Sequence, residues 1–285
     1  MRLGAHVSAA GSLDLAVDRA VEIGAETAQI FASSNQRWEF KPPDEKLAAT
    51  FKAKALENDV GPNVLHGIYL ITLGTEDPEN LRKGVQSLVN YVNAAHDLGM
   101  LGVIFHLGSH KGLGFEAVFR QVVESMNRVL DNSPDDTLLI MENSAGMGNH
   151  IGSKFNELGA VLRELASPRV RICLDTQHSF AAGYDLRTPE SVAKSMEEFD
   201  REIGLEHLVA VHCNDSKREL GVGVDRHENI GEGYMGLEAF DAVFAHPAFR
   251  DVPFYLEVPG FEGKGPDKRN MDIVKGIREK LAIPS

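Results

Sequence analysis

The chain has 285 residues, 43% hydrophobic and 25% charged, with 27 Gly and 12 Pro. That balance excludes a disordered or collagen-like chain, and the longest nearly unbroken apolar run, Leu98 to Phe105, is far too short to span a membrane. A formal charge of −13 argues against a non-specific nucleic-acid binder, whose surface is usually basic, unless divalent metals add positive charge among the carboxylates and histidines.

The opening MRLGAHVSAAGS has no apolar secretory core, so a cytoplasmic protein with no membrane partner is expected. Short apolar runs then alternate with amphipathic stretches. Leu3–Val7 is the first run. Ser12 is placed to cap a helix carrying Leu13, Ala16, Val17, Ala20 and Val21, with Gly24 as its stop. Ala28–Phe31 reads as a strand, Asp44–Asn58 as a helix and Val60–Leu65 as a third strand. Pro78 opens a helix with Leu81, Val85, Leu88, Val92 and Ala95 on one face, closed by Gly99. Val103–Phe105, Leu138–Met141, Val170–Leu174, Leu208–Val211 and Phe254–Leu256 give five more strands, for eight in all. Thr188–Pro189 starts a helix carrying Val192, Met196, Phe199 and Ile203. Cys173 and Cys213 lie in the apolar stretches VRICLD and LVAVHCND and read as small core residues, not as a disulfide.

Continuous rather than alternating apolar strands suit a parallel sheet covered by helices. Eight βα units of about 36 residues match the size of a (β/α)₈ TIM barrel, and no linker divides the chain, so residues 1–285 read as one domain. An open doubly wound sheet is the alternative.

Residues able to bind metal follow directly after the strand-like runs: His66, His106, Glu142, Asp175, His212 and Glu257. Their successive gaps of 40, 36, 33, 37 and 45 residues are each about one βα unit, which in a barrel would set all of them at the C-terminal mouth. A single polar residue there is usually a hydrogen-bonded strand end; six in succession, all of ligand type, form a pattern. His178 in DTQHSF and Asp225 and His227 in VDRH bring the total to nine, five imidazoles and four carboxylates. Such mixed ligation suits Zn²⁺, with Mn²⁺ or Fe²⁺ possible on the same grounds, and nine ligands fit three ions with one carboxylate shared. His96, His207 and His246 read as structural, while His6 and His110 are candidates for the mouth. No dinucleotide fingerprint, phosphate loop, HExxH or serine-nucleophile arrangement occurs.

The segments GAHVSAAG, NQRW, GIYLITLG, FHLGSH, ENSAGMG, CLDTQHSFAAGYDLRT, HCNDSK, GVDRHENIGEG and YLEVPG run in order through almost the whole chain. Together they resemble endonuclease IV, the zinc-dependent apurinic/apyrimidinic endonucleases of base-excision repair. The chain departs from the common pattern at HLGSH for HPGSH, at DTQH for DTCH, at VPG after Glu257 and in a shorter NQRW segment. The resemblance implies a trinuclear zinc site: His66, His106 and a bridging Glu142 on one ion; Glu142, Asp175, His212 and Glu257 on the second; His178, Asp225 and His227 on the third. It implies hydrolysis of the phosphodiester 5′ to abasic sites in double-stranded DNA, leaving a 3′-hydroxyl and a 5′-deoxyribose phosphate, with a further 3′-end cleaning activity on blocked ends, by a monomer. Glu142 and Glu257 would be the catalytic residues, Glu257 also orienting the attacking water.

Arg37, Tyr69 and Leu70 occupy family positions near the damaged nucleotide, and Trp38 could stack or wedge beside them. Core packing is the competing reading for Tyr69 and Leu70. Lys111, Lys154, Lys217, Arg218 and Arg226 lie in or near mouth loops, where they could meet phosphates or only solvent. Two rival functions remain. Glu142, Asp175, His212 and Glu257 alone resemble the two-metal set of xylose-isomerase-like sugar isomerases and epimerases, a set the other five ligands exceed. A catalytically silent DNA-damage-binding protein would usually lack ligands, and none is missing.

Overall fold

Apolar runs too short for helices, bounded by Gly, Pro and Asp, can bury both their faces only as strands covered by other elements. In the computed structural model, which describes residues 1–285, eight such runs pair in parallel. They are β1 (Leu3–His6), β2 (Ala28–Ile30), β3 (Val64–His66), β4 (Gly102–Phe105), β5 (Leu138–Glu142), β6 (Val170–Asp175), β7 (Leu208–His212) and β8 (Phe254–Leu256). The sheet closes where Leu3, Gly4 and Ala5 of β1 pair with Phe254, Tyr255 and Leu256 of β8, giving the expected (β/α)₈ barrel. Neighbouring strands approach closely at Gly102, where a Cβ would run into the Leu138 carbonyl oxygen.

The outer ring consists of α1 (Leu15–Glu22), α2 (Glu45–Glu57), α3 (Pro78–Asp97), α4 (Phe115–Asp131), α5 (Phe155–Leu165), α7 (Pro189–Glu202), α8 (Leu237–Ala245) and α9 (Lys268–Lys280), with the short α6 (Thr176–Ala181) following β6 directly. Asp44 and Asp77 cap α2 and α3 by accepting N–H groups of their first turns, and Thr188 and Ser191 form a reciprocal capping box on α7. Each cap contributes about 1 kcal/mol.

Side chains alternate across each strand, so one set meets the helices and the other fills the barrel. Val64, Ile104, Ile140, Cys173, Ala210 and Tyr255 form the small inner cluster, separate from the large core beneath the helices. Cys213 packs in that larger core, and both cysteines are free and buried.

Local expectations differ in three places. Helix α1 starts at Leu15, and Ser12 does not cap it: its hydroxyl bonds the Asp14 carboxylate, which also pairs with Lys54 at 2.8 Å. Strand β3 is only Val64–His66, because Asp59 has a positive φ of 52° and Pro62 has no N–H for the ladder. A two-stranded antiparallel ribbon, Asp215–Ser216 against His227–Glu228, has no counterpart among the predicted elements. No helix is long and apolar enough to cross a membrane.

Candidate metal centre

Each member of the inner cluster is followed two residues later by a ligand-type side chain: Val64 by His66, Ile104 by His106, Ile140 by Glu142, Cys173 by Asp175, Ala210 by His212 and Tyr255 by Glu257. A step of two along a strand keeps the side chain on the same face, so all six stand above the apolar plug at the C-terminal mouth. His66, His106, His178, Asp225, His227 and Glu257 line a cavity of roughly 420 Å³. Glu142, Asp175 and His212 are fully buried. The chain thus brings all nine residues to one place.

Their atoms converge in overlapping groups. Glu142 Oε2 lies 3.2 Å from His66 Nε2 and 3.4 Å from His106 Nε2. Its other oxygen, Oε1, lies 2.8 Å from His212 Nδ1, which is also 3.3 Å from Glu257 Oε2 and 3.8 Å from Asp175 Oδ2. Asp225 Oδ1 is 3.4 Å from His178 Nε2 and 3.5 Å from His227 Nε2, and the latter is 3.8 Å from Asp175 Oδ2. Besides a linking group of His66, His212 and Glu257, three sets have donor atoms within 4.8 Å of one another: His66, His106 and Glu142; Glu142, Asp175, His212 and Glu257; Asp175, His178 and His227. Glu142 belongs to the first two and Asp175 to the last two, so the third group gathers around Asp175 while Asp225 stands at its more exposed side.

The imidazoles are oriented for coordination. A carbonyl only accepts, so His66 Nδ1–H donates to Gly67 O at 2.7 Å, His178 Nδ1–H to Asn143 O at 3.0 Å and His227 Nδ1–H to Glu257 O at 3.2 Å. In each ring Nε2 is left facing a carboxylate, the arrangement in which a protein orients a metal-binding nitrogen. His227 Nε2 and His106 Nδ1 are buried without a hydrogen-bond partner.

Electrostatics point the same way. Burial pushes the Glu142 carboxyl up, but His106, His212 and His178 outweigh it and hold it well below the usual range. Burial raises Asp175 and lowers His106 to about 4. Despite burial, the acidic neighbours raise His178 and His212 in turn, so positive charge is held among these carboxylates, the role a divalent cation would take.

Local sequence explains the loop-borne members. Asp175 is the N-cap of α6 and accepts the His178 N–H at 2.8 Å, so DTQH turns His178 into the site. His227 lies on the ribbon and Asp225 on the loop leading into it; Asp215 anchors the ribbon by accepting N–H groups of Ser216, Gly231, Gly233 and Met235. Gln177, the departure in DTQH, is buried and its Nε2 donates to Val224 O at 3.0 Å, bracing the same loop.

At the rim, Tyr69 is 57% exposed, which removes the core-packing reading for it. Its ring meets those of Phe31 and His66 edge-on, and its N–H donates to Asn35 O at 3.2 Å, joining the loops after β2 and β3. Arg37 is exposed, whereas Trp38 and Leu70 are half-buried against the core. Arg226 lines the cavity; Lys111, Lys154, Lys217 and Arg218 are exposed outside its lining. His6 stands beside Glu257, while His110 Nδ1 accepts N–H groups of Gly112 and Gly114 and shapes its own loop. Sequence reasoning missed His150, on the cavity wall, and the buried Gln29, Asn143 and Asn214 that bond the cluster. The asparagines lie one and two residues past ligand positions, and Gln29 is a polar residue inside an apolar strand, so each left a signal. His150 left none.

Residues 17–280 match the family model of the xylose isomerase-like TIM barrel. A probable endonuclease 4 of Methanoculleus marisnigri is 41% identical over 259 residues, covering 90% of this chain and 92% of that protein. The probable endonuclease 4 of Haloquadratum walsbyi is 38% identical over 282 residues, covering 99% and 100%. The crystal structure of endonuclease IV from Thermus thermophilus superposes with a TM-score of 0.87 at 32% identity, covering 98% of this chain and 100% of that one. A D-tagatose 3-epimerase-like protein superposes with a TM-score of 0.76 at 16% identity, a likeness of fold alone.

Proposed function

The chain belongs to the endonuclease IV family, and from that premise we propose that it is a DNA-repair endonuclease hydrolysing the phosphodiester 5′ to abasic sites in duplex DNA. The products are a 3′-hydroxyl and a 5′-deoxyribose phosphate, and blocked 3′ ends are a second substrate. The observation that carries the reading is the overlap of these donor sets through shared carboxylates at one barrel mouth. We assign three zinc ions: His66, His106 and Glu142 hold one; Glu142, Asp175, His212 and Glu257 another; His178 and His227, with Asp225 and the nearby Asp175, the last. When bound, such ions lower the pKa of water toward neutrality and offset charge developing on the phosphoryl group. A two-metal sugar isomerase would leave His66, His106, His178 and the Asp225/His227 pair without a task.

The chain's own residues supply position and exclusion. Glu142 joins two donor sets and fixes their separation. Glu257 reaches the cavity directly after β8 with its Oε1 held by Gln29 and its Oε2 turned to the donor set, where it would hold an ion and orient the attacking water. Tyr69 and Arg37 enter the duplex at the lesion, where the missing base lowers the cost of unstacking. Arg226 meets a backbone phosphate beside the cavity. One chain provides every site residue, in keeping with a monomer acting on cytoplasmic DNA.

The test is incision of duplexes that differ only in one abasic residue, before and after chelation. Cleavage 5′ to the lesion that is lost with metal and restored by zinc supports the reading. Cleavage by protein that elemental analysis shows to be metal-free, or equal cleavage of the intact duplex, overturns it.

A further inference from the structure

Gln29 lies on β2, is fully buried and faces into the barrel beside the metal centre. Its carboxamide touches three groups: Nε2 is 2.6 Å from Glu257 Oε1 and 2.9 Å from His6 Nδ1, and Oε1 is 2.8 Å from His212 Nε2. An ionised carboxylate can only accept, so the amide nitrogen must face Glu257. Its second proton goes to His6. The amide oxygen is then left facing His212, and an oxygen without hydrogen can be satisfied there only if His212 carries its proton on Nε2. That turns Nδ1 of His212 toward Glu142, Glu257 and Asp175, as the nitrogen that would coordinate an ion.

The other imidazoles with an identified partner, those of His66, His178 and His227, take their orientation from backbone carbonyls, which a substitution does not remove. His212 takes its orientation from a side chain. We propose that Gln29 is a positioning residue of the metal centre, fixing the coordinating nitrogen of His212 and the carboxylate of Glu257 through one carboxamide. The inference rests on the metal-centre reading above. It makes Gln29 a determinant of metal retention although it donates no atom to an ion.

Gln29→Leu keeps approximate volume and removes every bond. Gln29→Glu keeps an acceptor for His212 but sets a carboxylate against Glu257. For the parent and both variants, zinc retention against a graded chelator, kcat and KM on an abasic duplex, and the melting temperature of the metal-free protein would be measured. Removing a partner that orients a metal ligand typically costs about 10–100-fold in metal affinity or activity. The expected result is a loss of that size in zinc retention for Gln29→Leu, a fall in kcat with KM for DNA unchanged, and a smaller loss of retention for Gln29→Glu. Parental zinc retention and kcat in Gln29→Leu would overturn the assignment, as would losses accompanied by an equally lowered metal-free melting temperature in both variants, which would make Gln29 a packing residue. A parent that binds no zinc would overturn the metal-centre reading itself, a separate outcome.

Discussion

Glu142 sends one oxygen to His66 and His106 and the other to His212, so its loss disturbs two donor sets together. Glu142→Ala is expected to lower bound metal by two ions and to cut incision by more than the roughly 10–100-fold typical of residues that only orient a ligand. Elemental analysis beside incision rates checks this, and loss of a single ion would show that the carboxylate serves one site. Arg37 and Tyr69 call for the opposite result. Both are exposed and outside the donor sets, so Arg37→Ala and Tyr69→Ala should leave metal content unchanged and stability within about 0.5 kcal/mol of the parent. Binding of abasic duplex should weaken by about 1–3 kcal/mol, tenfold to a hundredfold, the size of a lost stacking contact. The deficit should shrink on single-stranded abasic DNA, which needs no unstacking. Titrations on both substrates at one fixed salt concentration decide the matter, and equal deficits would exclude wedging.

The ribbon Asp215–Ser216 with His227–Glu228 shows how a structural carboxylate controls a site at the level of an element. Removing the Asp215 side chain leaves N–H groups of Gly231, Gly233 and Met235 without their acceptor. An unsatisfied buried donor costs about 1–3 kcal/mol, so Asp215→Ala should destabilise the fold measurably and release the ion assigned to His178 and His227 first. Urea unfolding and metal counting on the same sample test both halves; full retention of metal would separate the anchor from the site. The ribbon also marks where sequence patterning ran out. The barrel strands were legible because each is an apolar run, and six of the nine site residues were visible because they end such runs. Two-residue strands carry no periodicity, and His150 follows no strand. Ser12 misled because a hydroxyl two residues before an aspartate can bond that carboxylate instead of a helix N–H.

Across the whole molecule, closure of the barrel depends on its two ends meeting. Glu26 accepts two bonds from Arg278 of α9, at 2.6 and 2.7 Å, and one from the Leu3 N–H of β1, while Arg278 also donates to Met1 O. Burial raises the Glu26 carboxyl, but the Arg278 bonds and the Leu3 N–H outweigh it and the net shift is downward. A carboxylate lowered in the fold contributes stability that is fully present above its unfolded value, about 4.3, and is lost as pH falls through the folded one. Glu26→Gln should therefore cost about 1–3 kcal/mol near neutral pH, with the gap to the parent closing below about pH 4. Urea midpoints across pH check the sign, and a gap that widened in acid would reverse it.

The same scale holds the tension between a net charge of −13 and a polyanionic substrate, which three divalent ions at the mouth would ease where DNA must dock. The most direct measurement is incision of an abasic duplex as zinc is returned stepwise to chelated protein, with bound metal counted at each step. Three ions acting together require that activity rise fully only as the third equivalent binds. Full activity with one ion bound, or with none, would be incompatible with a trinuclear site.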